Sequence, residues 1–285
     1  MRHAVLGAGG VGGLLAAALA RAGADVVLLL RPSSLAAYPG RIELESVVLG
    51  DGAVEVPAAA ALDRCVDALW IAVKAPQLDA ALALAPPAVV GDAVVVPLLN
   101  GVEHVAWLRA RYRKVVAAAI RVGSQRIAPG VIRQVSPFLR VDLAGAPALA
   151  SELERAGIAC ERSDDEATVL WAKLAMLAPL ALATAAAGAP LAVVRDDPRY
   201  AACEAEVVAT ALAEGARIDA GAIAAFRTGG PDDMRTSLQL DVERGGPTEL
   251  DAIAGAVQRA AARHGIATPA TAALAAAVAA RLARS

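Results

Sequence analysis

Aromatic residues make up only 3% of this 285-residue chain, cysteines and histidines number three each, and 27 basic residues nearly cancel 29 acidic ones. Each scarcity removes a class of protein. Cys65, Cys160 and Cys203 are far apart, odd in number and without C-x-x-C spacing, which argues against a disulfide scaffold or a thiolate metal site and for a reducing, cytoplasmic setting. His3, His104 and His264 are isolated, so no metal centre is expected. A formal net charge of −2 and a pI of about 6.0 supply no basic field for nucleic acid or an anionic membrane. What remains is an Ala-rich chain, 57% hydrophobic, that packs helices through small side chains and is long enough for two domains.

The glycines are concentrated where they carry information. Val5-Leu6-Gly7-Ala8-Gly9-Gly10-Val11-Gly12-Gly13 holds a G-x-G-x-x-G pattern behind a short apolar segment and ahead of an Ala/Leu-rich helical stretch. In that context the first glycine permits the strand-to-helix turn, the second lets backbone approach a pyrophosphate, and the third lets helix and strand pack closely. The helix N-terminus then offers unpaired N–H groups to the phosphates. The next strand, residues 24–30, ends at Arg31, where an NAD-binding chain usually places an acid. A guanidinium there suits a 2′-phosphate, so the expected cofactor is NADP(H).

Two segments imitate something else. The N-terminus has Arg2, an apolar run and a small-residue ending like a secretory signal, but its glycines contradict a continuous helical core. Residues 174–194 carry no charge and are long enough to span a bilayer, yet Pro179, Gly188 and Pro190 interrupt them and alanine supplies much of their apolarity. A buried helix of a soluble domain is expected there, with no membrane partner.

The first half alternates strand-like and helical stretches, as a parallel α/β sheet does. Core strands are expected at residues 2–6, 25–30, 68–73, 93–97 and 115–120. Residues 42–48 and 53–56, turning at Gly50-Asp51-Gly52, read as a hairpin added to that sheet, and residues 131–135 and 138–143 read similarly around Ser136-Pro137. From about residue 164 the pattern becomes helical, with the clearest stretches at 166–178, 198–214, 248–264 and 271–283. The expected fold is an α/β N-terminal domain, residues 1–163, plus an all-helical domain, residues 164–285, packed directly with a cleft between them.

Lys173, in Trp171-Ala172-Lys173-Leu174, lies in an almost wholly apolar helical stretch. An ammonium there loses hydration and becomes a ready proton donor, or its long stem carries it to solvent, and composition leaves both readings open. Thr248 and Glu249 can equally serve to cap and favour the start of a helix.

In order and spacing, these pieces resemble the ketopantoate reductase (2-dehydropantoate 2-reductase) family over nearly the whole chain. The matching segments are the glycine run, Arg31, Val73-Lys74-Ala75-x-Gln77, Leu99-Asn100-Gly101-Val102, Trp171-Ala172-Lys173-Leu174, Ser237-Leu238-Gln239-Leu240-Asp241, Thr248-Glu249-Leu250-Asp251 and Gly265-Ile266-Ala267-Thr268-Pro269. The resemblance implies a Rossmann domain, a helical domain like that of 6-phosphogluconate dehydrogenases, and NADPH-dependent reduction of a 2-keto acid to a 2-hydroxy acid, a step of pantothenate biosynthesis. It assigns Lys173 as general acid, Glu249 as its carboxylate partner or a holder of the substrate hydroxyl, and Asn100 as an orienting amide near the nicotinamide. Ser237 would bind the substrate carboxylate, and Gly7, Gly9, Gly10, Val11, Gly12, Arg31, Lys74 and Gln77 the dinucleotide.

The chain departs from the family where asparagines usually follow the lysine by one and two helical turns, having Leu177 and Ala181 instead. Each lost amide removes hydrogen bonds worth roughly 1 kcal/mol apiece, which favours a more apolar 2-keto acid than ketopantoate. Two other readings keep the same residues: reduction of an imine, as in opine-type enzymes, and an NADP-binding sensor without turnover. Small residues on the C-terminal helices make a homodimer a further expectation.

Overall fold

The computed structural model describes residues 1–284. Its ten strands are β1 (Arg2–Leu6), β2 (Asp25–Leu29), β3 (Arg41–Ser46), β4 (Gly52–Glu55), β5 (Ala58–Ala59), β6 (Ala68–Ile71), β7 (Val94–Pro97), β8 (Ala118–Ala128), β9 (Val131–Ala144) and β10 (Ala159–Ser163). They form two sheets. The first is parallel, in the order β5-β2-β1-β6-β7, and the second runs β10-β9-β3-β4 with β8 paired antiparallel to β9. The chain divides into two compact units, Met1–Leu99 with His104–Asp164, and Asn100–Glu103 with Asp165–Ser285.

Three sequence expectations change here. The hairpin of β3 and β4 exists and is antiparallel, but it joins the second sheet through β9, not the parallel one. Residues 131–143 are not a hairpin: Ser136 and Pro137 lie inside the single strand β9. Its partner β8 crosses them with register shifts, and Ser136 Oγ accepts from Gly123 N at 2.8 Å in place of a regular ladder. Residues 115–120 meet the parallel sheet only at a Val95–Val115 bridge before the chain enters β8, while β5 supplies the fifth parallel strand.

The helix Gly10–Arg21 explains why both sheets belong to one unit. It packs on β1 and β2 on one side and on β8 and β9 on the other, and every residue from Gly12 to Ala18 is buried. A helix enclosed on all sides needs no polar face, and small residues let both sheets come close. A Cβ at Gly10 would lie 2.3 Å from the Ser124 carbonyl oxygen, and one at Gly13 would lie 2.5 Å from Ile132 Cδ1.

The second unit is helical. Its longest helix, Glu166–Ala187, starts at Asp165, whose carboxylate accepts from Thr168 N at 3.0 Å and Thr168 Oγ1 at 2.7 Å. Those bonds hold the Asp165 carboxyl below its ordinary range. The helix does not stop near residue 178 as expected. It continues through Pro179, because residues 178–185 are all buried among the helices Pro198–Ala213, Ser237–Glu243 and Pro269–Leu282, and that packing outweighs the lost ladder bond. By length and composition this is the one helix among the described residues able to cross a membrane, and here it forms the core of the unit. The stretch expected at 248–264 becomes helical at Leu250 and opens with a π-type turn, Asp251–Gly255, before Ala256–Arg263.

Candidate active site

The glycine turn occupies the carboxyl end of β1, with β2 on one side and β6 on the other. Strand order reverses between these neighbours, and the crevice outside such a switch point is where open α/β sheets bind ligands. Gly7 has φ +98, a conformation L side chains rarely adopt, and a Cβ there would meet Val73 Cγ1 at 2.7 Å. Gly12 supports the turn from below, since its Cβ would stand 1.9 Å from the Gly7 carbonyl oxygen. Gly9 differs. Its φ is −75 and a Cβ would meet nothing within 4 Å. No protein contact explains glycine at that position, whereas a pyrophosphate approaching the backbone does, so the turn fits a dinucleotide.

The side chains expected around the adenosine end stand on the flanking strands. Arg31 follows β2, is exposed, and donates from Nε to Ser34 Oγ at 3.1 Å. Lys74 follows β6, and its carbonyl accepts from Gln77 N at 2.8 Å, closing a short 3-10 turn that leaves Gln77 exposed. Val11 and Gly10 sit in the first turn of the helix, where Gly10 has the packing role already described.

The expected catalytic residues gather in the helical unit, and one comes from far away in sequence. Asn100 belongs to this unit although its neighbours Leu99 and His104 belong to the other. Its Nδ2 donates to Glu249 Oε2 at 2.8 Å. Gly101, at φ +90, brings the chain so close to the π-type turn that a Cβ would lie 2.4 Å from the Ala252 carbonyl oxygen. Glu249 is buried and sits one residue before the helix, its carbonyl accepting from Ile253 N at 3.0 Å. Lys173 is half-buried on the long helix, against which both the Asp251–Gly255 turn and the helix Ser237–Glu243 pack. Ser237 is exposed at the start of that shorter helix, capped by Thr236, whose Oγ1 accepts from Gln239 N at 3.3 Å.

Of the two substituted asparagine positions, Leu177 is half-buried and retains surface. Ala181 has none: it is fully enclosed in the helical core, so in this structure it shapes packing without presenting a wall.

Sequence reading missed a charged clamp beside Asn100. Arg259 donates to Glu103 from Nε at 2.9 Å and from Nη2 at 2.7 Å, and to Asp251 from Nη1 at 2.8 Å and Nη2 at 3.1 Å. The guanidinium holds the Asp251 carboxyl below its ordinary range. No sequence signal joins Glu103 to a residue 156 positions away, and the Asp251–Arg259 spacing is not one of the usual helical pairs.

A glycine turn at the switch point of a parallel sheet, in a chain whose second unit is helical, belongs to the class of dinucleotide-dependent oxidoreductases acting on CH–OH groups. The chain belongs to the ketopantoate reductase family. Residues 3–143 match the family model "Ketopantoate reductase PanE/ApbA" and residues 166–282 match its C-terminal counterpart. The chain is 30% identical over 286 residues to the 2-dehydropantoate 2-reductase of Caulobacter vibrioides, covering 94% of this chain and 95% of that one. The structure is similar to that of a PanE/ApbA family ketopantoate reductase from Ralstonia eutropha JMP134, at 28% identity and TM-score 0.89, with 100% of this chain and 99% of that chain covered. D-mandelate dehydrogenase, solved with NADH and anilino(oxo)acetate, shares the fold at 21% identity and TM-score 0.88, over 100% of this chain and 99% of that one.

Proposed function

We propose that this protein reduces a 2-keto acid to the 2-hydroxy acid with NADPH, and that Lys173 donates the proton to the carbonyl oxygen. The observation that carries this reading is the Asn100–Glu249 hydrogen bond at 2.8 Å, formed in the unit that carries Lys173. An amide that donates to Glu249 fixes the direction of the buried carboxylate. The ammonium form of a lysine is the form that can donate. A positive donor aimed at the carbonyl oxygen stabilises the negative charge that grows there.

The dinucleotide, when bound, supplies the hydride for the carbonyl carbon. The residues that would hold it are the backbone at Gly7–Gly12 for the pyrophosphate and Arg31, Lys74 and Gln77 for the adenosine and its 2′-phosphate. Arg31 supports the phosphate form over the bare ribose, because a guanidinium has no acceptor to offer a 2′-hydroxyl. Ser237 is available to a substrate carboxylate from its exposed position.

Leu177 supports a substrate more apolar than ketopantoate. A leucine on the surviving surface of the helix offers no partner to a substrate hydroxyl, and an unpartnered hydroxyl costs about 1–3 kcal/mol on burial. Substrates with an aliphatic or aromatic side chain carry no such cost.

The test is NADPH consumption with ketopantoate beside apolar 2-keto acids, in wild type, Lys173→Ala and Leu177→Asn. Turnover should fall by roughly 10²–10⁴-fold in Lys173→Ala while NADPH still binds. Leu177→Asn should shift preference toward ketopantoate by about tenfold. Full activity in Lys173→Ala would overturn the proton-donor role. NADPH binding without turnover on any carbonyl or imine would point to a sensor.

A further inference from the structure

We propose that Arg259 is a positioning residue: by clamping Glu103 to Asp251 it holds residues 100–103 on the Asp251–Gly255 turn and thereby keeps the Asn100 amide on Glu249. The inference rests on the function assigned above to Asn100 and Glu249.

Four consecutive residues attach to the helical unit at three points. Asn100 bonds Glu249, Gly101 lies against Ala252, and Glu103 takes two hydrogen bonds from Arg259. Val102 fills the interval by packing against the helical core. The first attachment is the one with chemical consequence, and the last fixes where the segment lies. A guanidinium can do this because its donors are set in a rigid fork, so it engages two carboxylates at once and fixes direction as well as distance. A lone exposed ion pair is weak and screened, but Arg259 binds a pair of oxygens on Glu103 and a pair on Asp251.

Gly255 leaves room for this contact. Its backbone is ordinary helix, with φ −60 and ψ −43, so nothing in its conformation requires glycine. Inside a helix glycine is less favourable than alanine. A Cβ at Gly255, however, would lie 2.2 Å from Asp251 Oδ1 and 2.8 Å from Arg259 Nη1. The missing side chain is the space in which the guanidinium and the Asp251 carboxylate meet. The π-type turn contributes by carrying Asp251 beside Gly255, and such turns recur where a side chain must be placed for function.

Three variants separate positioning from general stability. Arg259→Gln removes the charge and half the fork, Arg259→Lys keeps the charge without the fork, and Gly255→Ala pushes the two side chains apart while improving helix propensity. Each is read in the cofactor-free protein by the side-chain amide signal of 15N-labelled Asn100 and by hydrogen exchange of residues 98–106, and then by steady-state kinetics. Arg259→Gln and Gly255→Ala should move and broaden the Asn100 signal, speed exchange in that segment and lower kcat about tenfold with the KM for NADPH unchanged. Arg259→Lys should recover part of each. Because Gly255→Ala disturbs only side-chain ends, it serves if Arg259→Gln does not fold.

An unchanged Asn100 signal in a folded Arg259→Gln or Gly255→Ala protein would overturn the proposal. So would a loosened segment with undiminished kcat, provided that Asn100→Ala itself lowers kcat. If wild type reduces no 2-keto acid, the assigned function fails, while the amide signal and hydrogen exchange still decide whether the clamp positions Asn100.

Discussion

Asn100 and Glu249, 149 positions apart in sequence, share a hydrogen bond of 2.8 Å from Nδ2 to Oε2. The donor matters because an amide N–H can approach a carboxylate without changing its charge. Asn100 is thereby tied to Glu249 in the unit that carries Lys173.

Asn100→Asp replaces that donor by a second carboxylate of the same shape. Two carboxylates at hydrogen-bond distance repel each other unless they share a proton. The expected outcome is a fall in kcat of roughly 10- to 100-fold at pH 7 and an added inflection in the pH–rate profile, with NADPH binding retained. Kinetics from pH 5 to 9 check it, and a wild-type profile would show that the pair has no part in proton transfer.

Gly9→Ala and Gly12→Ala should fail in different ways. A Cβ on Gly9 enters open space, so stability should change by less than about 0.5 kcal/mol while dinucleotide affinity falls. A Cβ on Gly12 meets the Gly7 carbonyl oxygen at 1.9 Å, and overpacking of this kind costs about 1–3 kcal/mol or more. Thermal unfolding and NADPH titration of both proteins separate the two effects. Equal destabilisation would remove the reason for assigning Gly9 to the ligand.

Arg31→Ala should weaken NADPH binding and leave NADH binding nearly unchanged. Hydrogen bonds to a charged group are worth about 1.5–3 kcal/mol, which corresponds to roughly ten- to a hundredfold in affinity. Its present partner, Ser34 at 3.1 Å, is a neutral hydroxyl that a phosphate can displace or share. Parallel titrations with the two cofactors decide the matter. Equal losses for both would mean that Arg31 does not read the 2′-phosphate.

His3 makes the parallel sheet sensitive to acid. It is fully buried on β1, and Trp70 Nε1, which can only donate, reaches its Nδ1 at 3.1 Å. Nδ1 is therefore unprotonated, and Nε2, 3.4 Å from Glu152 Oε2, carries the proton. Burial lowers the pKa below its ordinary 6.5, with Glu152 and Asp67 opposing the shift and the N-terminus adding to it. Below 6.5 the unfolded chain binds a proton that the folded chain resists, so this contribution is present above that value and is lost as pH falls. Urea midpoints at pH 5.5 and 7.5 should differ more in wild type than in His3→Gln. Identical differences would assign the acid sensitivity to other groups.

Much of this architecture is legible along the chain because it depends on local patterns. Strands β1, β2, β6 and β7 and the helices Pro198–Ala213 and Pro269–Leu282 lie where apolar periodicity and turn residues put them. The errors share a cause. Ser136 and Pro137 look like a turn, but β8 accommodates them within one strand through register shifts and a side-chain bond. Pro179 looks like a helix end, but burial on all sides carries the helix past it. In both places tertiary contacts outweigh a local preference worth only a few kcal/mol.

The sequence by itself determined the glycine turn, the order of strands and helices, and the family to which the chain belongs, because spacing along the backbone specifies turns and periodic faces directly. Tertiary structure alone decided which sheet the β3–β4 hairpin joins, that Gly10 and Gly13 admit the second sheet, that Ala181 is sealed in the core, and that residues 100–103 belong to the helical unit. Asn100 and Glu249 are 149 positions apart, and Glu103 and Arg259 are 156, so only the folded chain brings each pair together. A contact at that separation leaves no trace in local composition, since the energy that forms it comes from packing of elements that are themselves distant in the chain.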